Sequence, residues 1–379
     1  MKKLFLFIIM FLSGSGMLWA QLTKTVEVNS YLDDNLYRSP EPVSDVLTNL
    51  YLGLSYQPEK SNVNYYYEAN MFMYSTAADR NFHMHSLGFE YYNALGKNDK
   101  TEFYTGASWA MRFDNEEYNY YDYSQLNAYL NFKFNLDFFN LKSGYNFRYR
   151  EYDQIMELSN FQNQLFVQAN KTLPTKTSLI LRADLGFKSF QNMDYTSSTG
   201  RGRGMYVTET GNSQIPSSQQ AVLMGRIAQS FHDKLGLYVQ YRQQFSFSDQ
   251  SVVSASDGYF QDEELFDDPF SYESTDYSTQ LSWIAPGNIK FQTAVGKLNK
   301  SYVSEQAFIS AEDSIGLGGS RVDDRNYLNI SLSKSFRFND SWLNLMSIDL
   351  NYSYIKNSSN SYWYDYKNSM IGAGIQFGF

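Results

Sequence analysis

The amino-acid sequence predicts an all-β protein, a transmembrane antiparallel up-and-down β-barrel of about sixteen strands with short periplasmic turns and longer extracellular loops. Three observations carry this expectation. Apolar and polar residues alternate with a period of two over nearly the whole chain after residue 20. Turn-forming clusters come in a short kind and a long kind, and the two kinds alternate. The sequence closes on "SMIGAGIQFGF", an alternating segment whose last residue is Phe379. Chain termini of soluble domains are usually polar and frayed, whereas this one reads as a half-buried strand.

The period is clearest in "TSLILRADLGFKSF", residues 177–190. Leu179, Leu181, Ala183, Leu185 and Phe187 fall on one side, and Ile180, Arg182, Asp184, Gly186 and Lys188 on the other. Successive strand side chains point to opposite faces, so one face is apolar and the other largely polar. Residues 235–247 repeat the pattern, with Leu237, Val239, Tyr241 and Phe245 opposed to Gln240, Arg242 and Gln244. Residues 141–150 set Tyr145, Phe147 and Tyr149 against Lys142, Asn146, Arg148 and Arg150. In residues 328–338, Ile330, Leu332 and Phe336 oppose Ser331, Ser333 and Arg337.

Short connections fall at residues 58–62, 96–100, 137–140, 174–177, 232–234, 286–288 and 339–341, rich in Pro, Gly, Asn and Asp. Those residue types supply tight-turn geometry. Longer or more polar connections fall near 36–44, 75–81, 114–119, 153–158, 191–217, 250–273, 303–322 and 357–363. Short turns on one side and long loops on the other is barrel topology, and an even strand number is usual for bacterial barrels. A soluble β-sandwich would need strands nearer 5–6 residues and would not alternate its connections in this way.

Composition fits the same architecture. Aromatic residues make up 18% of the chain, with 33 Tyr and 29 Phe, and there are only 7 Pro. Mean hydropathy is −0.47, far from that of a bundle of membrane helices. No run after Ala20 approaches the roughly 18–20 apolar residues of a membrane helix. Residues 1–20 read as a secretory signal peptide: Lys2 and Lys3, an apolar core from Leu4 to Leu12, then small residues up to Ala20. Leu18 departs from the small residue usual two positions before a cleavage site. The barrel is assigned to residues 21–379. The absence of Cys rules out disulfides, thiolate metal sites and a lipidated N-terminal Cys.

A membrane sheet cannot leave an open edge, because each unpaired backbone group in lipid costs several kcal/mol. The last strand, about 364–379, is therefore expected to pair with the first, about 25–35. Ile371, Ala373, Ile375, Phe377 and Phe379 then face lipid, and Gly372, Gly374, Gln376 and Gly378 face the lumen. At these residues the chain resembles bacterial outer-membrane β-barrel proteins. Their C-terminal insertion signal runs polar, any, Gly, any, any, aromatic or apolar, any, aromatic or apolar. Gly374, Phe377 and Phe379 match it, while Gly372 stands where the polar residue belongs. The resemblance implies a location in the outer membrane of a Gram-negative bacterium. It also implies lipid, lipopolysaccharide and the barrel-assembly machinery as partners. The Tyr- and Asn-rich style is similar to that of barrels of the Bacteroidota.

About sixteen strands enclose an aqueous channel, whereas about eight fill with side chains. Inward positions then carry Arg148, Arg150, Arg182, Lys188, Arg226 and Arg242 on one wall and Glu68, Glu90 and Glu102 on another. Such walls either set a field across the lumen or pair and brace it. The loop at 191–217 contains "STGRGRG", flexible and basic at Arg201 and Arg203. The loop at 250–273 carries Asp257, Asp262, Glu263, Glu264, Asp267 and Asp268, in a spacing that matches no calcium loop and reads as a solvated surface.

Nothing in the sequence calls for a cofactor, a metal or a catalytic group, and the protein is expected not to be an enzyme. His83 and His85 are an incomplete metal set and read as rim residues. No nucleophile motif appears, and a net charge of −9 disfavours nucleic acid. The function expected is a porin-like channel for small polar solutes. A second possibility rests on the first hairpin: Asp33, Asp34, Asn35, Tyr37, Arg38, Ser39 and Asp45 resemble the opening of barrels associated with exopolysaccharide secretion. That resemblance implies polysaccharide passage or a partner in an export complex. A third is a structural or adhesive barrel with a plugged lumen.

Overall fold

A computed structural model describes residues 22–96, 100–191, 193–201, 205–213, 217–247, 268–313, 315–338 and 342–379. The proposed signal peptide lies outside the described residues. The chain forms one closed antiparallel barrel of sixteen strands, plus a separate two-stranded sheet. Its first half comprises β1 (Leu22–Asp33), β2 (Asp45–Tyr56), β3 (Val63–Tyr74), β4 (Phe82–Leu95), β5 (Thr101–Asp114), β6 (Tyr123–Asn135), β7 (Asn140–Tyr152), β8 (Asn160–Thr172) and β9 (Thr177–Phe190). The small sheet is β10 (Met193–Arg201) with β11 (Met205–Ser213). The barrel resumes with β12 (Ser218–His232), β13 (Leu235–Ser246), β14 (Tyr272–Ala285), β15 (Ile289–Gln306), β16 (Ser320–Arg337), β17 (Leu345–Ser359) and β18 (Tyr366–Gly378).

Closure occurs between β1 and β18, from Thr25 opposite Gly378 to Asp33 opposite Met370. The seam reaches the last residue: the Phe379 N–H donates to the Lys24 carbonyl at 2.9 Å. A closed cylinder satisfies every ladder without an edge, which is what allows strands to cross lipid. One tight turn shows the local chemistry. Gly287 and Asn288, at φ 77° and 58°, reverse the chain between β14 and β15, and Gly and Asn tolerate that left-handed backbone best.

The two faces separate cleanly in the register. Val28, Leu50, Leu87, Trp109, Leu165, Leu181, Leu223 and Ile375 are exposed on the outside, an apolar belt suited to acyl chains. Among the described residues no helix is long and apolar enough to cross a membrane. At the long-loop end, Leu36, Leu47, Phe72, Tyr74, Phe82 and Tyr121 form a buried cluster inside the rim. Short 3₁₀ turns at Ala78–Arg80, Glu116–Tyr121 and Met156–Leu158 lie at this end of the barrel, and Tyr118, Ile155 and Leu158 pack on the cluster.

One expectation is corrected here. The stretch 191–217, read as a flexible loop, contains the β10–β11 hairpin, paired from Met193 opposite Ser213 to Arg201 opposite Met205. The physical reason is visible in retrospect. In the sequence, Thr, Tyr and Val flank Gly-Arg-Gly, which is a hairpin composition. Arg203 lies outside the described residues, as do most of the carboxylates of 250–273.

Candidate functional site: the lumen wall

The register gives each expected lumen residue its neighbours across the ladders. Glu68 stands opposite Gly53 and Ser86, and Glu90 opposite Gly106. Glu102 stands opposite Lys133, Arg148 opposite Asn127 and Gln162, and Arg182 opposite Met224. Arg226 faces Gln240, and Arg242 faces Asp276. The carboxylates occupy β3, β4 and β5, and the guanidinium groups occupy β7, β9, β12 and β13, on neighbouring arcs of the strand order with β6 between them.

Local partners decide which charges reach the lumen. Glu102 accepts from Lys133 Nζ at 2.6 Å and from Asn135 Nδ2 at 3.1 Å, with the Tyr104 hydroxyl also donating to it. Arg182 is locked to Asp184 by two hydrogen bonds of 2.8 and 2.7 Å and lies 4.3 Å from the centre of the Phe166 ring. These two groups are largely neutralised where they stand. Among the described residues, Glu68 accepts from the Tyr51 hydroxyl at 3.2 Å and Glu90 from that of Tyr129 at 3.4 Å. Arg148 donates to Gln162. Arg226 donates to Gln240 at 2.9 Å over the ring of Tyr238, and Arg242 to Gln244 at 3.4 Å. A hydrogen bond to a neutral amide leaves the Arg226 charge in place, whereas Arg242 faces the Asp276 carboxylate across the ladder.

Arg150 and Lys188 sit higher, buried beneath the rim. Arg150 donates to Gln125 at 2.8 Å and lies 4.4 Å from the Tyr123 ring centre; Lys188 is 3.0 Å from Asp268. They belong to a collar that sequence reading missed. Arg112 lies on Phe82 at 4.1 Å, Lys300 on Tyr272 at 4.3 Å, and Arg321 on Tyr302 at 4.1 Å. Arg112 is paired with Asp114 at 2.8 Å with both side chains almost fully buried. The signal was present as a cation two residues before an aromatic at the outer ends of outgoing strands: Arg150 with Tyr152, Lys188 with Phe190, Lys300 with Tyr302.

A second missed feature is a set of cross-strand pairs between an inward ring and an inward glycine. Tyr31 stands opposite Gly372, Tyr66 opposite Gly88, Tyr129 opposite Gly106, Phe166 opposite Gly144, and Tyr327 opposite Gly296. A Cβ built on any of these glycines would come within 2.2–2.8 Å of ring atoms. The rings therefore lie flat on the wall where the glycines leave room.

The first-hairpin residues occupy the rim. Asp33 accepts from the Asn35 N–H at 2.9 Å, and Asn35 Nδ2 donates to the carbonyls of Ser39 and Lys367 at 2.8 and 3.0 Å. Asp45 accepts from the N–H groups of Val46, Ser75, Thr76 and Ala77 at 2.7–3.1 Å. Tyr37 lies 4.8 Å beneath Arg80, and Arg38 adopts a φ of 49°. Together they tie the β1–β2 loop to β18 and to the β3–β4 loop. His83 and His85 face outward, 2.9 Å apart, with Tyr67 and Phe113 beside them.

No family profile matches the chain, and no curated protein matches it by sequence. Solved structures do resemble it. A bacterial polysaccharide outer membrane secretin is 10% identical with a TM-score of 0.49, covering 94% of this chain and 98% of that one. OprD of Pseudomonas aeruginosa is 8% identical with a TM-score of 0.48, covering 97% of each. OccAB3 of Acinetobacter baumannii is 11% identical with a TM-score of 0.47, covering 95% of this chain and 100% of that one. The closed strand register and the apolar outer belt place this protein in the outer membrane of a Gram-negative bacterium.

Proposed function

We propose that the protein is a porin-like channel that admits small polar solutes. The observation that carries this reading is the inner wall of a sixteen-stranded barrel, which carries Glu68 and Glu90 on one arc and Arg148, Arg226 and Arg242 on another. A barrel of this size is wide enough for an aqueous path. Arcs of opposite charge in a low-dielectric wall set a field across part of the lumen that aligns dipolar solutes as they pass. The rim collar and the aromatic cluster narrow the long-loop end and hold its shape.

The export reading draws on the β1–β2 hairpin, whose residues have a sufficient account as rim braces. An export-complex partner would be supported by loss of surface polysaccharide on deletion of the gene. Lipopolysaccharide at the apolar belt and the barrel-assembly machinery at the C-terminal strand are the partners proposed for the channel itself.

Planar-bilayer recording of the folded protein tests the proposal. Discrete conductance steps are expected. Reversing Arg148 and Arg226 together to Glu shifts the reversal potential in a salt gradient toward greater cation selectivity. Folded protein without conductance, or an unchanged reversal potential, counts against it.

A further inference from the structure

Two clefts indent the lumen wall, and amides and a tyrosine ring dominate the lining of each. The first, of about 260 Å³, lies on β6–β8, and its lining includes Asn127, Tyr129, Asn146, Arg148, Gln162 and Gln164. The second, of about 300 Å³, lies on β1 and β14–β18 and is lined by Tyr31, Gln280, Gln292, Asn329, Asn351 and Ser353, with no charged side chain. The strand order sets them on nearly opposite walls. Each contains a tyrosine seated on a glycine of the neighbouring strand: Tyr129 on Gly106 and Tyr31 on Gly372. Both rings are half-buried, so one face is held by the wall and the rest is open to the lumen.

The amides matter as much as the rings. Asn146 in the first cleft, and Asn329 and Asn351 in the second, make no side-chain hydrogen bond among the described residues, although they stand in a wall where most polar side chains are paired. An amide offers a donor and an acceptor together. The solute group with the same dual character is the hydroxyl. A site that combines several open amides with a flat aromatic face fits a molecule with many hydroxyls and an apolar C–H face, and does not require it to carry charge. We infer that the two clefts are carbohydrate subsites, through which neutral oligosaccharides pass by exchanging contacts between facing walls. This deepens, and rests on, the channel reading above.

The test is single-channel recording of the full-length folded protein with maltohexaose as probe, and arginine and glutamate at equal concentration as charged comparators. Maltohexaose is expected to interrupt the current in a concentration-dependent way, with longer dwell times than either amino acid. Tyr31→Ala and Tyr129→Ala are each expected to shorten the dwell roughly tenfold, the worth of one aromatic contact, while Tyr129→Phe retains it. Folding is checked by heat-modifiable electrophoretic mobility. If an alanine variant does not fold, Asn146→Leu and Asn351→Leu serve instead, with the same expected shortening. A conducting protein with no saccharide-dependent interruption overturns the inference and leaves the channel intact. Interruptions that none of the folded variants alters overturn the placement at these clefts. If the folded protein does not conduct but binds maltohexaose in detergent with the same tyrosine dependence, the channel reading fails and the subsites stand.

Discussion

Single residues set the thickness of this wall. Gly106 lies under the Tyr129 ring, and a Cβ there would meet Phe89 O at 2.6 Å and Tyr129 Cε1 at 2.8 Å. The backbone contact cannot be relieved by a rotamer change, so Gly106→Ala should destabilise the barrel by roughly 1–3 kcal/mol, as overpacking does. Gly225→Ala, whose nearest atom is Leu181 Cδ2 at 3.6 Å, is the neutral control; urea midpoints of the two variants compare them. Asp313 organises the β15–β16 loop by accepting N–H bonds from Ile309, Leu317, Ile315 and Gly316 at 2.9–3.1 Å. These bonds, that from Ile309 foremost, hold its carboxyl below the ordinary 3.8. Its folded pKa is thus below its unfolded one. The stabilisation is present above the unfolded value and fades as pH falls through the folded value. Pepsin should cut within 307–319 only once the pH drops below the ordinary carboxylate range. Asp313→Ala should expose the same loop to chymotrypsin at pH 7.

Elements obey a division of labour. The middle of each strand alternates lipid-facing and lumen-facing side chains, while the outer ends of the outgoing strands turn inward cations onto rings. The pair Arg112–Asp114 shows the cost of undoing this. Asp114→Ala leaves a buried guanidinium without its carboxylate, and breaking such a pair typically costs about 3–5 kcal/mol. A matching fall in the urea midpoint is expected, whereas the exposed turn pair Lys100–Asp137, at 2.8 Å, should contribute little when broken. Strand positions were legible because the period of two is a local property. The expected segment 177–190 coincides with β9, Thr177–Phe190. The β10–β11 hairpin was not legible in the same way, since a connection between two barrel strands carries no lipid-facing apolar stripe to mark it.

At the scale of the molecule, the barrel is closed by neighbours far apart in sequence. β9 pairs directly with β12, Lys188 opposite Ser218, so the β10–β11 hairpin sits outside the ladder. Replacing residues 192–216 by a short Gly-Ser link should therefore leave a closed barrel with unchanged heat-modifiable mobility, because loop closure entropy changes slowly with length. A barrel that no longer folds would show that the hairpin is needed for assembly.

The sequence by itself determined the closed barrel, a strand number of about sixteen and the alternation of two faces along each strand. All of these follow from the alternation of side chains along an extended chain and from the need to satisfy backbone groups in lipid. Only the tertiary structure decided which inward charges remain available. Glu102 meets Lys133 and Lys188 meets Asp268, partners brought together by the stagger of strands around the cylinder and by the seating of Asp268 beside β9. The seating of Tyr129 on Gly106 and of Tyr31 on Gly372 was decided there too. Such a contact depends on which residue of a neighbouring strand lies opposite, and the periodicity of one strand does not contain that register.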